Sequence, residues 1–118
     1  MVRIDVTFLF LASACLIAGV CLGLYMSVND DLHLLAVHAH VNLVGWASLA
    51  VFALAHRSFP QLAASRLAPA HLCLSAPSAL VLPFGIYLAQ THNIMWLLIG
   101  ASLLWLAGAV VFLAMVAG

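Results

Sequence analysis

Six histidines stand in a chain of 118 residues that carries only six charged side chains: Arg3, Asp5, Asp30, Asp31, Arg57 and Arg66. An imidazole can ligate a metal or move a proton near neutral pH. An ionisable residue inside an apolar segment is costly and is a functional candidate by default. Two of the six, His38 and His40, lie deep in such a segment, Ala36-Val37-His38-Ala39-His40-Val41-Asn42-Leu43-Val44-Gly45-Trp46. On a helix, at about 100° per residue, they stand roughly 200° apart. They therefore point to opposite sides, cannot clamp one small ion, and can serve two different sites. The spacing puts His38 on one face with Asn42 and Gly45. It puts His40 on another with Ala36, Val44, Ala47 and, further back, His33. Small residues beside an imidazole leave room for a flat group, and they also let helices approach closely.

Neutral imidazole suits zinc, copper, iron and nickel. A structural zinc wants four closed ligands, often cysteines. Here Cys15, Cys21 and Cys73 form neither C-x-x-C nor a haem-attachment motif, and they read as small apolar residues in helices. Haem iron needs one or two axial ligands and an apolar slot. The composition thus favours a non-covalent haem, haem b, over a bare copper or zinc ion, with His38 and His40 as the metal ligands. Asn42, one turn from His38, is placed either to hydrogen-bond that ligand or to reach across a helix interface. The other four histidines fall near segment ends. His33 and His56, and with less weight His71 and His92, are expected to be interfacial side chains whose polar tips meet water. Ser75 and Ser78 share the face of His71 and are expected to satisfy carbonyls freed by Pro77.

The elements that must position these residues follow from composition. Hydrophobic residues make up 68% of the chain and charged residues 5%, against roughly 25% charged in a soluble domain, which excludes one. With zero formal net charge and no basic stretch, nucleic-acid binding is excluded. No nucleophile–base pair, phosphate loop or paired carboxylate supports a hydrolase or kinase. A spanning helix needs about 20 apolar residues. Four such stretches predict a single all-α transmembrane domain, an up-down bundle or arc, with helices at about 4–26, 32–55, 67–89 and 94–117. The apolar run of the first is too long for a signal peptide, and it is expected to be retained. Arg3, Arg57 and Arg66 fall on one side of an even number of spans, so both termini are expected in the cytoplasm of a multi-pass inner-membrane protein. Trp96 suits an interfacial belt, whereas Trp46 and Trp105 lie deeper and read as packing residues.

The run Ala36-Val37-His38-Ala39-His40-Val41-Asn42-Leu43-Val44-Gly45, with Phe59-Pro60 beyond it, resembles the tenth helix of subunit I of the haem-copper oxidases and nitric oxide reductases. His71 through Pro83, Phe84 and Gly85 is similar to the eleventh. The whole chain looks like a stand-alone module of helices nine to twelve. The resemblance implies that His38 and His40 ligate haem on opposite faces and that the protein moves electrons, with quinol or a redox protein as partner. The family's copper ligands from other helices are missing, as is the arginine pair that holds haem propionates. The resemblance therefore implies haem binding without an oxygen-reducing centre, and leaves His33, His92 or Asn93 to meet the propionates. Bis-His ligation with one imidazole per face needs a second chain, and closed rings are the usual solution. The family's threefold pseudo-symmetry points to a homotrimer with haem held between His38 of one protomer and His40 of the next. A copper- or zinc-binding or transport protein, and a non-catalytic assembly or scaffold subunit, are the competing readings.

Overall fold

The computed structural model describes residues 2–118. Among these no strand is present, and four helices are long and apolar enough to cross a membrane. Helix α1 is Ile4–Val28 and α2 is Leu35–Ser58. A single-turn helix α3, Pro60–Ala63, leads into α4, Ala68–His92, and α5 is Trp96–Ala117. At 1.5 Å per residue the long helices run roughly 33–38 Å, enough for a hydrocarbon core of about 30 Å.

Helix ends are set by local side-chain chemistry. Arg3 pairs with Asp5 at 3.0 Å where α1 begins. The chain turns after Val28 through Asp30, whose φ of 49° is left-handed. The Asp31 carboxylate accepts the backbone N–H of His33 at 2.8 Å, and the N–H of Leu35 donates to Leu32 O at 3.2 Å. This turn delays α2 to Leu35, three residues beyond the expected start. At its other end α2 continues to Ser58 rather than stopping at 55, because the break comes only at Phe59-Pro60, with proline at the first position of α3. His56 and Arg57 are therefore helical. Helix α4 ends at His92 rather than 89. Asn93 takes a left-handed φ of 56°, and the N–H of Ile94 reaches back to Leu88 O at 3.2 Å.

Helix α2 is not a regular α-helix. After Leu35–His40 it widens into a π-helical stretch, Val41–Ser48, before resuming at Leu49. The Ser48 hydroxyl donates to Leu43 O, five residues back, at 2.8 Å. Such widened turns are uncommon and concentrate at functional positions. Helix α4 carries Pro77 and Pro83 within it without a break. The Ser78 hydroxyl lies 2.6 Å from Leu74 O and 3.1 Å from Ser75 O, so it bonds carbonyls beside the one freed by Pro77.

Helices α1 and α2 form one antiparallel pair and α4 and α5 another. The two pairs meet in a core of Phe8, Ala12, Leu49, Phe52, Ala53, Ala76 and Ala79, flanked by Trp46, Trp105 and Phe112. Ile4, Leu62, Ala68 and Met115 pack together, so both chain termini and the α2–α4 connection share one end of the bundle. At the opposite end the Gln90 amide donates to His33 O at 2.7 Å and ties the α1–α2 turn to the end of α4. The outer surface is studded with exposed Phe10, Ile17, Val51, Phe84, Leu103 and Leu113. A surface this apolar suits lipid and not water.

Candidate functional site

The first candidate is the His38–His40 stretch. His38, Asn42 and Gly45 all face α1, as their helical spacing predicts. Glycine or a small residue meets each of them there. A Cβ added to Gly23 would lie 3.0 Å from Cε1 of His38. One added to Gly19 would collide with the Asn42 side chain, and one added to Gly45 would come within 2.8 Å of Cys15 Sγ. Asn42 Nδ2 donates to His38 O at 3.1 Å and stands 3.3 Å from both ring nitrogens of His38. The asparagine thus bonds the His38 carbonyl and packs over the His38 ring. Replacing Asn42 with alanine is expected to cost about 1 kcal/mol of unfolding free energy in detergent, the scale of buried polar contacts in membrane bundles. Intrinsic tryptophan fluorescence through an unfolding titration measures it.

His40 is held differently. Its Nδ1 lies 2.8 Å from Ala36 O, one turn back on its own helix. A carbonyl can only accept, so Nδ1 carries the proton and Nε2 is left with its lone pair. This is how a ligating imidazole is ordinarily oriented, with one ring nitrogen donating to a carbonyl and the other bare. His40 is half-buried.

His33 and His92 are both exposed, at the end of the bundle away from the termini. His92 is the last residue of α4 and not a loop residue, with its ring 6.2 Å from that of Tyr87.

The expectation for His56 and His71 is overturned. Neither is interfacial: His56 is 2% exposed and His71 0%. His56 Nε2 and His71 Nδ1 lie 3.2 Å apart and share a hydrogen bond between α2 and α4. Phe8 of α1 stacks on His56 at 5.6 Å and tilts over His71 at 5.0 Å. Phe52 meets His71 edge-on at 4.5 Å, and Phe112 of α5 stacks on it at 5.0 Å. All four long helices contribute to this cage. His56 Nδ1, His71 Nε2 and Ser75 Oγ are buried without a hydrogen-bond partner among the described residues. Part of the signal lay in the sequence, since His71, Ser75 and Ser78 recur at helical spacing. The partner for His71 came from the extension of α2 past residue 55.

An apolar cavity of about 440 Å³ opens between α1, α2 and α4, lined by Cys15, Ala18, Val37, Val41, Pro83 and Tyr87 among others. Neither His38 nor His40 lines it. No three His, Cys, Asp or Glu side chains among the described residues converge as a metal-binding group. One axial imidazole per haem face does not require such a group. The His40 donor set fits an axial ligand. His38 fits only with its ring turned off α1. The chain matches no family model, no curated protein and no solved structure.

Proposed function

We propose that the protein is an inner-membrane, b-type haem-binding protein of haem-copper-oxidase-like character that transfers electrons, with both termini in the cytoplasm. The observation that carries this reading is His40 itself. Its imidazole sits within a membrane-length helix, with Nδ1–H committed to Ala36 O and Nε2 bare. His40 Nε2 would hold the haem on one face. The second ligand is assigned to His38 of a neighbouring copy in a closed homotrimer. For that role its ring must rotate away from Gly23 and Asn42. Exposed His33 and His92 at the far end are the groups offered to the propionates. When bound, the haem supplies a one-electron couple tuned by its ligands and burial. The protein's contribution is to orient the imidazoles, exclude water and present an apolar face to a quinol or a redox protein.

The test is the visible spectrum of detergent-purified protein from haem-replete cells, oxidised and then dithionite-reduced, with haem and metals counted per chain. A sharp Soret band with resolved reduced α and β bands, near one haem per chain, is expected. A colourless protein overturns the reading. Copper or zinc near stoichiometry in that colourless protein would replace it with metal binding, and neither group would leave a scaffold subunit.

A further inference from the structure

All three arginines gather at the end of the bundle that holds both termini, whereas Asp30 and Asp31 lie in the α1–α2 turn at the other end. Two of these arginines share a cluster with Asp5. Arg3 Nε and Nη2 donate to the Asp5 carboxylate at 3.2 and 3.0 Å. Arg57 Nη1 stands 3.8 Å from the same carboxylate, beyond hydrogen-bond length. The Asp5 side chain is 16% exposed, against 62% for Arg3 and 73% for Arg57. The carboxylate therefore lies underneath and the two guanidiniums face outward, with more N–H donors than these contacts use. One negative charge offsets one of the two positive charges, and the cluster keeps a net positive charge. Two crevices share it. The first, about 250 Å³, is completed by His56, Pro60 and Ala63. The second, about 300 Å³, is completed by Val6 and Leu9 of α1 and Ala53 and Leu54 of α2. Leu9 lies one turn inward from Asp5 and Ala53 one turn inward from Arg57, so the second crevice is charged at its outer end and apolar below.

We propose that the Arg3–Asp5–Arg57 cluster and the groove beneath it bind one anionic phospholipid of the phosphatidylglycerol type. The phosphodiester sits on the two guanidiniums, and one acyl chain follows the groove along Val6, Leu9 and Leu54. Charge complementarity selects this occupant. A phosphodiester carries the single negative charge that the cluster leaves unmet, and guanidinium donors match phosphate oxygens in a planar, paired geometry. Arginines at a membrane surface attract anionic lipid, and here two of them converge on one place. Asp5 refines the choice, because its oxygens can accept hydrogen bonds from the hydroxyls of a glycerol headgroup, and its charge opposes a headgroup with further negative charge. Zwitterionic headgroups bring no net charge to the cluster. The groove supplies what a free anion cannot use: Val6, Leu9 and Leu54 are exposed apolar side chains directly below the arginines. The site is independent of the haem reading, since neither His38 nor His40 lines either crevice.

The experiment is native mass spectrometry of the full-length protein in detergent micelles, titrated in turn with dioleoyl phosphatidylglycerol, phosphatidylcholine and phosphatidylethanolamine. Expected is one phosphatidylglycerol per chain, held about fivefold or more tighter than either zwitterionic lipid. Arg57→Gln should weaken phosphatidylglycerol about fivefold, the scale of one arginine at an anionic surface. Arg66→Gln removes a charge at the same end that lines neither crevice, and should leave the affinity within about twofold, because a charge outside the site is screened. Arg57 and Arg66 are both exposed, so neither change touches the core, and far-UV circular dichroism verifies that both variants fold. Inorganic phosphate in excess over the lipid should not displace it. Equal retention of the three lipids overturns the site, and so does an affinity unmoved by Arg57→Gln. A loss in Arg66→Gln as large as that in Arg57→Gln would replace it with diffuse surface charge, and displacement by phosphate would replace it with a simple anion site.

Discussion

Alanine at position 40 is expected to strip the purified protein of its low-spin spectrum, with haem retained per chain falling roughly tenfold or more. Removing groups that merely orient a metal ligand costs on the order of 10- to 100-fold in affinity, and removing the ligand costs at least as much. His40 is singled out because its tautomer is already set. The contact from Nδ1 to Ala36 O leaves Nε2 as the only lone pair the ring can offer. His38→Ala should act differently. That ring can ligate only after turning off α1, away from Gly23 and Asn42, which makes it the weaker ligand, so its loss should convert six-coordinate spectra to five-coordinate ones while haem is partly retained. Absorption spectra and pyridine haemochrome counts on both variants decide the matter. An unchanged spectrum in His40→Ala would sink the assignment.

Gly85→Val should be the most destabilising single substitution at the interface of α4 and α5. A Cβ at residue 85 would sit 2.8 Å from both Cα and N of Leu98, so it meets backbone and not a side chain that can swing aside. The two helices would have to separate along their contact. Overpacking ordinarily costs about 1–3 kcal/mol, and a branched side chain against backbone belongs at or above the top of that range. Gly100, on α5 two residues beyond Leu98, is the internal control. Nothing lies within 4 Å of a Cβ placed there, so Gly100→Ala should be neutral or stabilising by a few tenths of a kcal/mol up to about 1 kcal/mol. Steric trapping or denaturant titration in detergent micelles measures both. Equal effects at the two positions would show that the close approach at Gly85 is not where the pair is held.

The four long apolar helices were legible because apolar length marks them, and a segment suited to lipid has little choice but helix. Their ends were not. The Asp31 carboxylate reorganises the turn before α2, and Pro60 rather than the polar pair His56-Arg57 stops that helix, shifts of about three residues that no hydropathy count resolves. Those three residues carried the largest error about the histidines. His56 was placed at the water interface when it lies inside, against Phe8 and His71, residues far from it in sequence. Burial of that kind is decided by which helices meet, and periodicity along one helix does not contain it. The shared face of His38, Asn42 and Gly45 needed only local geometry and was visible from spacing. The π-helical stretch that begins at Val41 left no mark in the sequence beyond the glycine within it.

That stretch has a mechanical consequence. It lies between the two histidine sites, with His38 and His40 before it and Phe52 and His56 after it. A helix bonded five residues back turns less per residue than one bonded four back. Tightening Val41–Ser48 to a regular α-helix would therefore screw the two halves of α2 relative to each other. His56 would swing away from His71 while His38 stayed on α1, or the reverse. The segment is a torsional joint, and where ligands at the two sites each favour one winding, the factor by which the first changes the affinity of the second equals the factor by which the second changes the first.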